Sequence, residues 1–473
     1  MTAQAVKAER VTEARHDSQA IAYWYFGASV LLFLLQTVVG LVVGAQYLWP
    51  DLFFDWMPFN VARSIHINLL IFWLLIGFMG AIYYVIVDET RRKLYSPMLA
   101  KLQLGLLLVA GVGAIISYFF GYYGGQGMEY IEAAPIFDWL IVVAAVIFLI
   151  NSFMTVWRSE RGFNVITGVL IAMAAALSLL YFAGMPFFDN LSTQQFWWWW
   201  VIHYWVEGTW EVLEVALVAY LLIKLTGVER SRVYKWLYIE AGLVLFTGII
   251  GQGHHYFWIG TPAYWLGLGS IFSALEPIPI LLMMLDSLLH VRRRQTEVKN
   301  RVALYWLVGG GVMHFLGAGV WGAMHTWESV NFWTHGTQIT PSHGHFAFFG
   351  AFAMTVIAFI YYAMPRRIGL DKFKQSRGFW SFWAMNPGMI LMVMAMLVAG
   401  IIQIYISRVL GEGYVAAQTY LHPWYALRWV GGWIFAIGVL AYAWDFVTLL
   451  AFAPVPTWPR EAALRRTAQP SPE

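Results

Sequence analysis

The sequence predicts an all-α polytopic membrane protein with twelve transmembrane helices. Its 473 residues are 60% hydrophobic and only 12% charged, whereas a soluble domain averages about 25% charged residues. Apolar runs of about 20 residues, the length that crosses a bilayer, recur along the chain with short loops between them. The net charge of +3 is small and gives no indication of nucleic-acid binding.

Each predicted span follows one of these apolar runs. The spans are 22–47, 61–87, 98–120, 137–157, 163–183, 196–225, 235–259, 265–290, 302–325, 343–364, 380–407 and 426–452. They form one catalytic membrane domain, residues 21–454, between cytoplasmic tails of residues 1–20 and 455–473. We expect no cleavable signal peptide, because no short apolar segment with a cleavage site follows the polar start.

The charges of the loops predict the orientation of the chain. The even-numbered loops carry nearly all the loop Lys and Arg, in the groups 91–93, 158–161, 230–235, 292–301 and 366–377, and Arg408 is the one clear exception on the other side. By the positive-inside rule, both termini are cytoplasmic and the odd-numbered loops face outward. We therefore expect a multi-pass protein of the bacterial cytoplasmic (inner) membrane.

The chain has no cysteine. This excludes disulfides, thiolate metal sites, iron–sulfur clusters and the C-x-x-C-H attachment of c-type heme. Any metal in this chain must be held by His, Glu or Asp, and any covalently bound heme must belong to a partner chain.

Seven of the twelve histidines fall inside predicted spans near the outer face. They are His66, His203, His254, His255, His325, His343 and His345. A single His in a span is more often a hydrogen-bonded packing residue than a ligand. So many at one depth, on separate helices, favour a shared metal site, because ionisable groups inside a membrane are costly and usually mark function.

The spacing within span 10 suggests two sites. His343 and His345 are two residues apart, so on a helix they point about 200° apart. One helix could then hold a metal on each side. His345 with His66 could supply both axial ligands of a six-coordinate heme, and His343 could bind a second heme with one position left open.

A carboxylate accompanies the remaining imidazoles. His203 and Glu207 are four residues apart and share a helix face, whereas the adjacent His254 and His255 need a local backbone adjustment to reach one ion. Three imidazoles and a carboxylate suit Fe or Zn-like ions, and geometry alone does not choose among transition metals.

These residues lie in motifs that resemble the heme-copper oxidase superfamily, and above all the large subunit of cytochrome c-dependent nitric oxide reductases. The motifs are Pro58–Arg63 before His66, His203–Glu211, Gly253–Gly260, Phe272–Pro277, and Thr334–Gln338 leading to His343-Gly344-His345. They are long and in order, and the similarity runs from about residue 22 to residue 450.

The resemblance implies a heme-copper oxidase subunit I-like bundle and a set of metal ligands. His66 and His345 would ligate the low-spin heme b, and His343 the high-spin heme b3. The non-heme iron would be held by His203, His254, His255 and Glu207. The reaction of the family joins two NO molecules to give N2O and water, at a site toward the periplasmic side.

The resemblance also implies roles for acids and for partners. Glu276 and Glu211 would be acids beside the active site, Glu129 a calcium ligand, and Arg63 a propionate partner. Electrons would come from a small membrane-anchored cytochrome c subunit, because the N-terminal soluble extension of quinol-dependent relatives is not seen here. Glu214 is an extra carboxylate, either a paired or water-facing acid near mid-membrane or part of a proton relay.

The third loop carries three acids with no Lys or Arg near them. They are Glu129, Glu132 and Asp138. Grouped hard oxygens suit a calcium ion, which the resemblance also favours, and an acidic exposed loop is the alternative.

Two rival interpretations remain open from sequence alone. One is an oxygen-reducing heme-copper oxidase subunit I with copper in the non-heme site. The other is a twelve-span secondary transporter, although no internal repeat is evident and the histidines are not at mid-depth. No role is assigned to His16, His290, His314 or His422, which we expect at the surface or in packing.

Overall fold

The computed structural model describes residues 3–124, 128–295 and 297–451, with side chains from residue 19 onward. The described chain contains helices, turns and loops, with twelve helices long enough to cross a membrane. They are α1 (Ala3–Gln46), α2 (Phe59–Thr90), α3 (Pro97–Phe119), α4 (Pro135–Trp157), α5 (Val165–Gly184), α6 (191–226), α7 (Arg230–His255), α8 (Ala263–Arg294), α9 (Arg301–Thr326), α10 (Ile339–Arg367), α11 (Ser376–Val409) and α12 (Tyr414–Ala451). A short helix, Glu328–Thr334, links α9 to α10.

Eleven of these helices are apolar enough along their length to be membrane spans. Helix α6 is the twelfth, and it is more polar because it carries Glu207, Glu211, Glu214 and Lys224. Glu211 and Glu214 are buried by neighbouring helices, Lys224 is paired with Asp88 of α2, and Glu207 lies against three imidazoles, so these charges face protein. The predicted count of twelve spans is therefore confirmed.

Helices α2 and α10 form the centre of the bundle. In their apolar segments 83% and 89% of residues are buried, against 56% or less in the other apolar spans. These two helices carry His66, His343 and His345, so the chain places three of its candidate ligands on its most enclosed elements.

Four helices contain π-helical turns. These are Tyr204–Trp210 in α6, Phe315–Trp321 in α9, Phe348–Ala353 in α10 and Ile404–Val409 in α11. All four lie in one half of the bundle, here called the histidine half, which carries His66, His203, His254, His255, His325, His343 and His345. Single π turns shift the register of a helix and are frequent at functional sites.

Two further irregularities shape the same half. Helix α7 ends in a 3-10 turn, Gln252–His255. Helix α8 is interrupted between Ser273 and Ile278, because Pro277 and Pro279 have no N–H to donate and their rings crowd the preceding turn.

The helix boundaries differ from the predicted ones mainly at the two ends of the chain. Helix α1 begins at Ala3, within the predicted tail of residues 1–20, and its membrane-length part is Gln19–Gln46. Helix α12 begins at Tyr414 and not near 426, because it continues through Pro423, a residue that normally breaks a helix. The predicted tail 455–473 lies outside the described residues.

Candidate functional site

Four side chains from two helices form one compact cluster near the end of the bundle that carries loops 1, 3 and 5. In His203, Glu207, His254 and His255, one potential ligand atom from each residue lies within 4.8 Å of all the others. The Glu207 carboxylate is central, at 3.3 Å from His203 Nδ1, 3.3 Å from His254 Nε2 and 3.1 Å from His255 Nε2. The predicted grouping of these residues is thus present in the structure.

Local backbone geometry makes the cluster possible. Glu207 lies in the π turn that begins directly after His203, and the wider turn still leaves the two side chains in contact. The 3-10 turn at the end of α7 brings the adjacent His254 and His255 to the same side, with ring centres 4.1 Å apart. This turn is the local adjustment that the sequence required.

Neighbouring side chains hold the rings in place. The Ser273 hydroxyl is hydrogen-bonded to His254 Nδ1, which directs His254 Nε2 toward the cluster. Trp199 stacks on His255, with ring centres 4.9 Å apart and planes 6° from parallel. Such contacts fix the tautomer and orientation of metal-binding imidazoles.

The cluster fits a transition-metal ion. Ligand atoms that bind one ion at about 2.0–2.2 Å lie roughly 3–3.5 Å apart, which is the spacing seen around Glu207. Neither ring nitrogen of the fully buried His203 makes a hydrogen bond among the described residues, and Nδ1 meets the Glu207 carboxylate only at 3.3 Å. A buried nitrogen without a hydrogen bond is costly, and a metal ion bound at Nδ1 would satisfy that nitrogen. Glu207 keeps 30% of its side chain exposed, so the cluster borders open space.

His66 of α2 and His345 of α10 face each other across the bundle centre. Their ring centres are 6.2 Å apart and their planes 25° from parallel. Two imidazoles that bind one iron through Nε2, at bonds of about 2 Å, have ring centres about 6 Å apart. His66 Nδ1 donates to the Gln36 carbonyl at 3.1 Å and His345 Nδ1 to the Pro341 carbonyl at 2.7 Å, which leaves each Nε2 available as a ligand.

The chain makes room for the His66 ring with a glycine. A Cβ added to Gly40 of α1 would lie 2.7 Å from His66 Cε1, so only glycine fits there without displacing the imidazole. Together with the paired rings, this cradle fits the axial ligands of a six-coordinate heme.

His343 lies on the other side of α10 from His345, as the spacing predicts. Its Nδ1 donates to the Gly317 carbonyl at 3.0 Å, an acceptor inside the π turn of α9. Gly322 leaves space for the ring, since a Cβ there would come within 3.1 Å of His343 Cε1. His343 therefore also presents a free Nε2, while His325 lies beside it at 6.2 Å between ring centres.

Glu276 lies in the break of α8 and is 4% exposed. Its Oε1 has no hydrogen-bond partner among the described residues. A Cβ added to Gly251 would lie 3.5 Å from this oxygen and 3.7 Å from His203 Nε2. The glycine thus leaves a small space that the acid and the metal-site histidine share.

Of the two expectations for His314, surface or packing, the structure has it packed in the interior, and it adds two acidic neighbours that the sequence did not predict. This residue is 1% exposed and lies between two acids, with Nε2 3.1 Å from Glu211 Oε1 and Nδ1 3.7 Å from Glu214 Oε2. Thr355 donates to the other oxygen of Glu214 at 2.7 Å. Glu214 is therefore buried and paired.

Sequence reasoning also missed Glu240, which is fully buried on α7. The usable signal was a single acid within an otherwise apolar run, since an intramembrane acid is a candidate functional residue by default.

The loop before α4 meets α2 through its acids. Arg63 forms an ion pair with Glu129, so these two predicted residues contact each other. Asn68 donates to Glu132 at 2.6 Å, and burial raises the pKa of Glu132 to about 7. Asp138, expected to join them, accepts a hydrogen bond from Tyr181 at 2.7 Å, and the three acids do not form one ligand cluster among the described residues.

Comparison with known proteins agrees with this geometry. Residues 20–434 match the family model described as "Cytochrome C and Quinol oxidase polypeptide I". A nitric oxide reductase subunit of Stutzerimonas stutzeri is 42% identical over 454 residues, covering 91% of this chain and 95% of the relative. A cytochrome c oxidase subunit 1 homolog of Bradyrhizobium diazoefficiens is 25% identical, covering 86% and 78%.

A solved heme-copper terminal oxidase dimer shares the fold. Its TM-score is 0.70 at 16% identity, over 93% of this chain and 84% of that chain. The chain belongs to the cytochrome c and quinol oxidase polypeptide I family, whose members are membrane oxidoreductases with hemes and a further metal site. Within that family it is a homologue of the nitric oxide reductase subunit from Stutzerimonas stutzeri, as its motifs predict.

Proposed function

We propose that this chain is the catalytic subunit of a nitric oxide reductase, which reduces two NO molecules to N2O and water with electrons from a cytochrome c subunit. The observation that carries the proposal is the Glu207 carboxylate at 3.1–3.3 Å from three imidazoles. A carboxylate makes the site harder than three imidazoles alone, and it therefore suits iron over copper.

The histidines would hold the metal groups in the predicted pairs. His66 and His345 would bind the low-spin heme b, His343 the high-spin heme b3, and the four-residue cluster the non-heme iron. When bound, the low-spin heme would relay electrons from cytochrome c, and the high-spin heme and the non-heme iron would offer the two open positions for NO. The free Nε2 atoms of the three heme histidines, each fixed by a backbone acceptor at Nδ1, support this assignment.

The buried acids would supply the protons that the reaction consumes. Glu276 Oε1 is unpaired among the described residues and borders the same space as His203, so it can hold a proton beside the non-heme site. Glu211 lies one turn further along α6, where His314 can exchange a proton with it across 3.1 Å. General acids positioned in this way contribute about 10²–10⁴ in rate.

We assign the face of the bundle nearest the histidines to the periplasm, because the loops at the opposite end carry nearly all the loop Lys and Arg. The cytochrome c partner would dock there. Glu129 would be a calcium ligand and Arg63 a propionate partner, and their ion pair supports only their proximity.

The test is anaerobic NO consumption by the two-subunit complex, with N2O measured as product. We expect N2O formation with reduced cytochrome c, and loss of it in Glu207→Ala. If the complex consumes oxygen but not NO, and holds stoichiometric copper, the oxygen-reducing oxidase is the correct function. In sealed vesicles, proton uptake from the inside would contradict the periplasmic supply.

A further inference from the structure

A basic cavity lies at the end of the bundle opposite the histidines. It has a volume of about 720 Å³ and opens between the loop after α10, the first turn of α11 and the last turns of α12. Its polar lining consists of Arg367, Lys372, Lys374, Arg377, Asp445 and Thr448. None of these residues belongs to the metal centre, so the cavity needs a separate explanation.

The charge of the cavity is unbalanced. Four cationic side chains face a single carboxylate, and that carboxylate is already paired, since Asp445 Oδ1 lies 3.7 Å from Arg377 Nε. Arg377 also donates to the Thr448 hydroxyl at 3.1 Å, which holds its guanidinium at the wall. The exposed Lys372 and Lys374 have no acidic partner among the described residues.

The start of α11 adds to the positive potential. The helix begins at Ser376 without a side-chain cap from Gln375, so the positive end of its dipole is directed into the loop that lines the cavity. The N-terminus of a long helix favours anions. Here it acts together with the cluster of cationic side chains.

The cavity lies at the depth of lipid headgroups. Trp380, one turn after Arg377, is 73% exposed, and Trp444, next to Asp445, is 63% exposed. Exposed tryptophans at the end of a bundle mark the membrane interface. Because these tryptophans are neighbours in sequence of lining residues, an anion held in the cavity would come from the membrane surface.

We propose that this cavity binds the phosphate headgroup of an anionic phospholipid. Lys372 and Lys374 bind the phosphate, and Arg377 forms the fixed wall of the site. Basic pockets between transmembrane helices on the cytoplasmic side bind such headgroups, and the loops at this end are the ones rich in Lys and Arg. The proposal does not depend on which gas the metal centre reduces.

The test is native mass spectrometry of the intact complex, released from nanodiscs that contain phosphatidylglycerol in phosphatidylcholine. We expect one tightly retained phosphatidylglycerol per chain, and at least about tenfold weaker retention in Lys372→Gln/Lys374→Gln, because each cation contributes strongly to binding of anionic lipid. Both lysines are exposed, so the double variant keeps its fold and its NO turnover.

The matched control is Arg292→Gln/Arg293→Gln, which removes two exposed cations from the same end of the bundle but outside the cavity. It should retain phosphatidylglycerol as the wild type does. Equal loss in both double variants, or unchanged retention in the lysine variant, would overturn the proposal. Displacement of the lipid by millimolar inorganic phosphate would show an anion site and not a lipid site.

Discussion

The two ends of the helix bundle use ionisable residues in opposite ways. At the end away from the histidines, the two buried acids of α2 are paired with bases. Asp88 lies 2.6 Å from Lys224, and Glu89 lies 2.7 Å from Arg230 and accepts from Asn164 at 2.8 Å. At the histidine end, the imidazoles keep nitrogens free and the carboxylate lies among them. Paired charges stabilise the contacts between helices, whereas free donor atoms can bind metal.

The backbone follows the same division. All four π turns lie in the histidine half, whereas the irregular turn at the opposite end is the short 3-10 turn Met364–Arg367 that ends α10. A π turn provides Glu207 in α6 and the Gly317 acceptor for His343 in α9. Irregular turns cost stability. The ion pairs of Asp88, Glu89, Lys224 and Arg230, here called the paired end, can offset the free energy of unfolding that the histidine end loses.

The largest expected effect comes from removing a metal ligand. His203→Ala should abolish the non-heme metal and lower NO turnover by at least about 100-fold, because even residues that only orient ligands contribute 10–100-fold. Iron per chain and N2O formation measure it. The exposed His422 gives the control, since His422→Ala should change neither quantity.

The next effect tests the buried acid beside that site. Glu276→Gln keeps the shape of the side chain but removes its titratable proton, so turnover should fall about 100-fold while iron content stays complete. Glu412→Gln removes an exposed acid from the same end and should leave turnover unchanged. Wild-type turnover in Glu276→Gln would remove this residue from the proton supply.

A smaller effect is expected from filling the cradle of His66. Gly40→Ala places a Cβ 2.7 Å from the His66 ring, so the ring must move. We expect about tenfold slower electron transfer to the non-heme site, together with a changed absorption spectrum of the low-spin heme. Gly105→Ala is the control, because nothing lies within 4 Å of a Cβ there. An unchanged spectrum in Gly40→Ala would argue against heme ligation by His66.

The paired end should respond in stability and not in chemistry. Glu89→Gln breaks a pair in which the acid is 4% exposed but Arg230 is 41% exposed, so we expect a loss of about 2 kcal/mol. Thermal unfolding measures it, and iron content and spectrum should stay normal. Glu229→Gln breaks an exposed pair with Arg294 and should cost less than about 1 kcal/mol. An equal cost in both variants would contradict the contrast between the two ends.

The last expected effect changes no chemistry at the candidate site and appears only when the pH is varied, as a pH dependence of stability at the histidine end. Burial raises the pKa of Glu132 from 4.5 to about 7, so the folded protein holds a proton that the unfolded chain releases. Its contribution to stability is therefore full below about pH 4.5 and is lost as the pH rises to about 7. Glu132→Gln should flatten the melting temperature over this range, whereas Glu328→Gln, at an exposed site, should leave the slope unchanged.

The sequence predicted the span count and the grouping of His203, Glu207, His254 and His255 because both leave strong local patterns. Apolar length identifies a span, and histidines at a common depth indicate candidate ligands. The approach of His66 to His345 could be expected because the spacing of His343 and His345 divides them between two sides of α10. Only the structure shows the 6.2 Å separation of the rings.

Other features could not be read from the sequence, because they depend on how helices from distant segments pack. His314 and Glu211 are 103 residues apart, and no local pattern marks His314 as an acid partner. Helix α12 starts before Pro423, since tertiary packing overrides the usual break. The π turns have no sequence signature that we could use, although they determine where Glu207 and Gly317 lie.

Glu207 and three imidazoles should select iron for the non-heme site. The decisive measurement is metal analysis of the purified complex, with heme counted in the same sample. We predict iron equal to the hemes plus one per complex, without copper. Stoichiometric copper, with iron equal to the hemes alone, would show that this ligand set does not select iron.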